Sequence, residues 1–183
     1  QKQKGNLKYY NFIEVFGVQD GNENEIITKA KDLRSQFRLS GLKSTISPHS
    51  PYSVPKKLMQ EIVRNFDKED ELLTIHIQES LQEIQLFEKK NGMLLNWLKQ
   101  INATSAIWER NKSLDVLNEL ENKKILMVHN TFAREEDLQS HYYCTCPNAN
   151  LYIENTLPDY SIFNADRLCV GTDSLASNNE LSI

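Results

Sequence analysis

Three histidines and one aspartate stand where short apolar runs of this chain end: His49, His76, His129 and Asp173. Imidazole nitrogens and carboxylate oxygens bind divalent cations and move protons near neutral pH. Taken singly each is weak, because a histidine at a strand end is more often a hydrogen-bonded structural group. Together they matter only if the four runs lie parallel and side by side, so that their ends share one rim. His141, the remaining histidine, begins a run rather than ending one, and a structural or solvent role is expected for it. Glu79 lies three residues after His76, at the turn into a helix. It can serve as a partner for that helix's dipole or as a proton shuttle beside the site His76 helps to build. Glu83, one turn later, is expected on a solvated face.

A catalytic zinc takes three protein ligands and keeps a position open for water. His76 and Asp173 offer two, too few, so further ligands are expected outside this stretch. Cys144-Thr145-Cys146 puts two thiols on one face of a strand. A chelate there is geometrically allowed, yet no second Cys/His pair completes it. The three cysteines are an odd number, and each lies in or beside an apolar run. They read as buried thiols of a reducing cytoplasm rather than as a disulfide framework.

The runs that must position these residues recur along the chain. They are Tyr10 to Phe16, Leu42 to Ile46, Leu72 to Ile77, Ile125 to Val128, Tyr142 to Thr145 and Leu168 to Val170. Helical patterns separate most of them. Ile26, Ile27, Ala30, Leu33 and Phe37 share one helical face. A second helix opens near Ser53 and Pro55 and buries Leu58, Ile62, Val63 and Phe66. Leu81, Ile84 and Phe87 mark a third, and Leu114, Leu117 and Leu120 a later one. A short acidic helix is expected from Ala133 to Gln139. Continuous apolar runs alternating with helices imply parallel β-α units. An open doubly wound sheet also alternates in this way, but no glycine-rich phosphate turn follows any run. A closed eight-stranded barrel takes about 250 residues, more than the 183 here.

The net charge of -4 gives no electrostatic reason to expect nucleic acid or an anionic membrane as partner. No apolar run reaches the roughly 20 residues of a membrane span. The polar start, without Met, suggests that the numbering begins inside a longer gene product.

The strand ends resemble those of amidohydrolase barrels. Ser47-Pro48-His49-Ser50-Pro51-Tyr52-Ser53-Val54, Thr74-Ile75-His76-Ile77-Gln78-Glu79-Ser80 and Met127-Val128-His129-Asn130 follow the family's order. Cys146-Pro147-Asn148-Ala149-Asn150 and Gly171-Thr172-Asp173-Ser174-Leu175-Ala176-Ser177-Asn178 continue it. The nearest branch is the cytosine-deaminase-like group, with its adenosylhomocysteine, methylthioadenosine and guanine deaminases and triazine chlorohydrolases. The resemblance implies an α/β fold, an incomplete (β/α)8 TIM barrel carrying about strands 3 to 8. Residues 1–183 would be one partial catalytic domain, without the first strands, the final helix and the small β-sandwich. It further implies that His76 and Asp173 are metal ligands, that Glu79 moves a proton and that His129 orients the attacking water. His49 would contact substrate. The family's opening HxH pair, two more ligands, is not in this sequence. Asn130 stands where a cysteine is common, and a glycine often seen before the proline of the Cys146 motif is missing.

The implied cofactor is one divalent metal, zinc first and iron second. No lysine stands at the end of the second run to bridge two metals. The implied reaction is attack of activated water on an electron-poor ring carbon of a cyclic amidine (a purine, pyrimidine or pteridine). Asp173 would take the water's proton while Glu79 protonates a ring nitrogen. Dechlorination or amide hydrolysis by the same machinery is the alternative, and a non-catalytic barrel or interaction module a third reading. The partner is then a small molecule in the cytoplasm. Two unpaired sheet edges would be covered by other chain regions or by a second copy in a homodimer. Tested alone, this stretch is expected to be inactive and to bind metal weakly, which metal analysis and an activity assay of the 183 residues check directly.

Overall fold

The computed structural model describes residues 7–17, 21–67, 72–120 and 122–178. Six strands carry the fold: β1 (Tyr10–Val15), β2 (Lys43–Pro48), β3 (Leu73–Ile77), β4 (Ile125–His129), β5 (Tyr142–Thr145) and β6 (Leu168–Val170). Each matches an apolar run to within a residue or two. All pairings are parallel, and the strands follow one another in chain order, β1 against β2 and then β3 through β6. Hydrogen bonds bridge β2 to β3, where Thr74 N donates to the Ser47 side-chain Oγ at 3.1 Å and His76 N to the backbone His49 O at 2.8 Å. A doubly wound sheet reverses its strand order at a switch point. This one never reverses, as in a barrel wall.

The helical layer includes α1 (Glu23–Leu39), α2 (Lys56–Arg64), α3 (Leu81–Ile84), α4 (Met93–Gln100), α5 (Ser105–Trp108) and α6 (Pro147–Glu154). Ile13, Val15, Ile46, Ile75, Ile77, Ile125, Met127 and Tyr143 point from the strands into a core shared with Leu58 and Ile62 of α2. Strand side chains alternate between faces, so Glu14, Ser47, His76, Val128 and Cys144 point the other way. β3 and β4 are accordingly buried in alternation, helix-facing positions fully and inner ones partly, whereas β2 is buried evenly after Lys43.

Several local expectations are corrected. α2 begins at Lys56 with Pro55 as its cap, while Ser53 bonds His49 and Ser50 instead. The acidic segment after β4 makes only a 3-10 turn, Glu135–Asp137. Ser113–Leu120 is also 3-10, and α3 runs into a π-helical turn, Gln85–Lys89. Helix α6 was not anticipated, although Pro147 sits at its first turn, where proline's fixed φ suits a helix start. Among the described residues no helix is long and apolar enough to cross a membrane.

One buried charge fastens the loop that carries His49. Arg110, 2% exposed, donates to both Glu119 carboxylate oxygens at 2.7 and 2.9 Å. It also donates to the carbonyls of Pro51 at 2.6 Å and Val54 at 3.0 Å. Removing one partner of such a pair leaves a charge and two carbonyls uncompensated. Arg110→Ala is therefore expected to cost the fold about 3–5 kcal/mol, read as a fall in the urea midpoint at unchanged slope.

Candidate functional site

Backbone bonds to the preceding strand or its end fix His49 and His76 directly and the segments carrying His129 and Asp173 through their neighbours. His49 N donates to Val15 O at 3.0 Å, His76 N to His49 O at 2.8 Å and Asn130 N to Ile77 O at 3.2 Å. Gly171 N donates to Thr145 O at 2.8 Å, just ahead of Asp173. The imidazoles of His49 and His76 stand 5.1 Å apart between ring centroids, and those of His76 and His129 stand 5.2 Å apart. Glu79, His129 and Asp173 bring one donor atom each within 4.8 Å of one another, and Glu14, His49 and His76 do the same. His76 thus belongs to the first trio's rim but groups with Glu14 and His49, while Asp173's charge still acts on its ring.

His129 is the most constrained of these. It is 1% exposed and its backbone is left-handed at φ 75°, a conformation a non-glycine residue holds only when its surroundings enforce it. Asn150, fully buried on α6, supplies that enforcement. Its Nδ2 donates to His129 O at 3.5 Å, so its Oδ1 is left to accept from Nδ1–H of the ring at 2.9 Å. That fixes the tautomer and turns Nε2 toward Glu79 Oε1, 3.5 Å away. Asp173, also left-handed at φ 59°, accepts a short hydrogen bond from Ser177 Oγ. His49 Nδ1 pairs with Ser53 Oγ at 2.6 Å.

Burial sets the protonation states. It lowers His76 to about 4, with the neighbouring His129 and His49 adding to the effect, and it lowers His49 as well. Both rings are therefore neutral near pH 7, with a nitrogen lone pair to offer. Burial raises Glu79, and Asp173 raises it further, against the pull of His129. A carboxyl raised toward neutrality is suited to carry a proton in both directions.

Two residues of this site were not read from the sequence. Glu14 lies on the inner face of β1, with Oε1 3.7 Å from His76 Nε2; its only signal was a lone acid inside an apolar run. Glu83, expected on a solvated face, is 1% exposed. Its carboxylate accepts from the backbone N–H of Gln78 at 2.9 Å and of Glu79 at 3.2 Å, pinning the turn that aims Glu79. Burial pushes Glu83 up to about 7 against those two donors. The Ser80-Leu81-Gln82-Glu83 spacing is the capping-box pattern, and Ser80 Oγ does accept from Glu83 N. The cysteines also depart from expectation: Cys146 is buried, Cys144 half-buried and Cys169 exposed. His141 lies just ahead of β5, away from the rim.

Neutral imidazole nitrogens and carboxylate oxygens within a few ångströms of each other form a donor set that fits a divalent cation. Glu14, His49 and His76 are one group able to hold such an ion here, and Glu79, His129 and Asp173 the other.

Known proteins resemble this chain in sequence and in fold. An aminodeoxyfutalosine deaminase of Nitratiruptor sp. is 26% identical over 183 residues, covering 97% of this chain and 41% of that protein. An adenosine deaminase of Helicobacter pylori is 29% identical over 155 residues, covering 78% and 37%. The crystal structure of H. pylori aminofutalosine deaminase in complex with methylthio-coformycin superposes with a TM-score of 0.82 at 25% identity. That match covers 99% of this chain and 47% of that one. The chain thus spans about two-fifths of the length of these curated relatives. The wall of parallel strands they have in common is that of a TIM barrel. The sequence pattern of the amidohydrolase family matches residues 8–183, and the chain belongs to that family.

Proposed function

We propose that the intact protein is a metal-dependent hydrolase that deaminates a purine-type substrate, releasing the exocyclic amino group as ammonia. The observation that carries this reading is the meeting of Glu79, His129 and Asp173 beside His76 on one rim. Its support is that the matched relatives are deaminases.

In this reading His76 and Asp173 hold a divalent metal, zinc being the better fit to nitrogen and oxygen donors. When bound, such a cation lowers the pKa of water and supplies a nucleophile at neutral pH. Glu79, raised by burial, gives a proton to the ring nitrogen next to the amino-bearing carbon as water adds there. Asp173 takes the proton that the water sheds, and Glu79, now a carboxylate, collects the proton of the new hydroxyl and delivers it to the amine as the C–N bond breaks; the proton on Asp173 then restores Glu79. His129, its tautomer set by Asn150, presents a fixed nitrogen to the attacking water. His49 meets the remainder of the substrate on the far side of His76. The same reading has the protein working in the cytoplasm on a diffusible small molecule.

The decisive experiment is metal analysis of the intact protein followed by ammonia release from adenosine, 5'-deoxyadenosine, methylthioadenosine and guanine. Turnover of an aminopurine by the metal-loaded protein is expected. Silence on every amine, with chloride or carboxylate released from a triazine or amide instead, would replace deamination by the alternative hydrolysis. A second check addresses His129. Asn150→Ala frees its ring, and turnover should fall about 10–100-fold, the usual cost of losing a partner that orients a site histidine. Metal content should stay at the wild-type level.

A further inference from the structure

Past the ends of β3 and β4 lies a cavity of about 70 Å³ that the proposed chemistry leaves unused. Residues of the π-helical turn, of the segment opening at Ser113 and of the acidic 3-10 turn line it, with Gln78 and Asp137 among them. Gln78 is 5% exposed, and its Nε2 donates to Asp137 Oδ2 at 2.9 Å. That bond settles which end of the amide is which, because a carboxylate oxygen asks for a donor. It leaves Gln78 Oε1 as a buried acceptor that meets no donor among the described residues. Such an oxygen calls for a hydrogen-bond donor or a cation. The surrounding charges favour the cation: Glu88, Glu136 and Asp137 line the cavity against Lys112 and Arg134, one formal negative charge in excess.

We propose that this cavity binds a monovalent cation of the potassium and ammonium class, held by Gln78 Oε1 and the Asp137 carboxylate, and that the ion stiffens the turn carrying Glu79. A divalent ion asks for six or more oxygens, or keeps most of its water shell. The walls formed by Ile84, Phe87, Leu114 and Phe132 offer neither. One charge in excess and one open amide oxygen suit a single positive charge instead. The link to Glu79 is Gln78 itself, the residue before it, left-handed at φ 52°. Its N–H is held by Glu83 at 2.9 Å and its carbonyl by Phe132 N at 3.3 Å, so Oε1 is the group still open on that turn. The effect on Glu79 rests on the deamination reading; the ion site does not. Potassium would come from solution, whereas ammonium is a product of the proposed reaction.

The test follows thermal unfolding of the intact protein at constant chloride while tetramethylammonium is replaced by potassium or by ammonium. Tetramethylammonium carries the same charge but has neither an N–H nor a bare surface to offer Oε1. The melting temperature is expected to rise with the smaller ions and to level off. Asp137→Asn keeps an oxygen for Gln78 and removes the charge. It should raise the half-saturating concentration about 10-fold, the worth of a hydrogen bond to a charged group. Glu88→Gln, at an exposed position where folding is not at stake, should shift it less and in the same direction. The lower midpoint of the two ions identifies the occupant. A melting temperature indifferent to the ion, leaving water alone in the cavity, would overturn the site. So would a rise of equal size and midpoint in wild type and both variants. Turnover measured along the potassium series separates the two claims. An aminopurine rate that stays flat while binding saturates would remove the effect on Glu79, whereas saturable binding by a protein that deaminates nothing would sink the deamination reading and leave the ion site standing.

Discussion

The intact protein carrying His76→Ala is expected to come through purification without its divalent metal and without measurable turnover. His76 sits between His49 and His129, 5.1 and 5.2 Å from each, and is held neutral by burial. No other neutral imidazole stands between those two, so a lost ligand there has no substitute. Removing mere partners of site histidines costs about 10–100-fold in affinity, and loss of the ligand itself should exceed that. Metal content by plasma emission and thermal unfolding separate the outcomes. A folded His76→Ala protein that keeps full metal would remove His76 from the ligand set.

Glu79→Gln should behave in the opposite way, keeping metal and losing rate. The amide matches the carboxyl in size, and Glu83 still pins the turn through the N–H groups of residues 78 and 79. What disappears is the carboxyl beside His129, the group proposed to take up and return a proton. The expected loss in kcat is about 10²–10⁴-fold, the usual range for a general acid-base residue, with KM little changed. A Glu79→Gln enzyme running at the wild-type rate would transfer the proton role elsewhere.

The strand framework was legible because several apolar runs carry a polar residue at or beside their end, as at His76 and His129, and because parallel strands leave that mark at one end only. The residues behind the rim were harder. Glu14 sits in a run whose other members face the core or the inner wall, and one acid does not reveal its side. Glu83 looked like a solvent-facing repeat of Glu79. The intervening turn breaks the helical phase, since α3 starts only at Leu81 and Gln78 is left-handed at φ 52°. Asn150 lies 21 residues from the histidine it holds, a pairing that exists only once α6 is folded against the strand end. Cys169 was expected buried because its neighbours in sequence are apolar; it faces the opposite way from them.

The ring spacings of 5.1 and 5.2 Å are close to the distance of about 4.8 Å between hydrogen-bonded strands. The backbone links from Val15 to His49 and from His49 to His76 explain why: the imidazoles inherit the pitch of the wall that bears them. Each position then works like a socket on a ruled edge. Exchanging one side chain alters what is gripped without shifting where the adjacent grips stand, whereas a change in the tilt of the wall would respace them all at once.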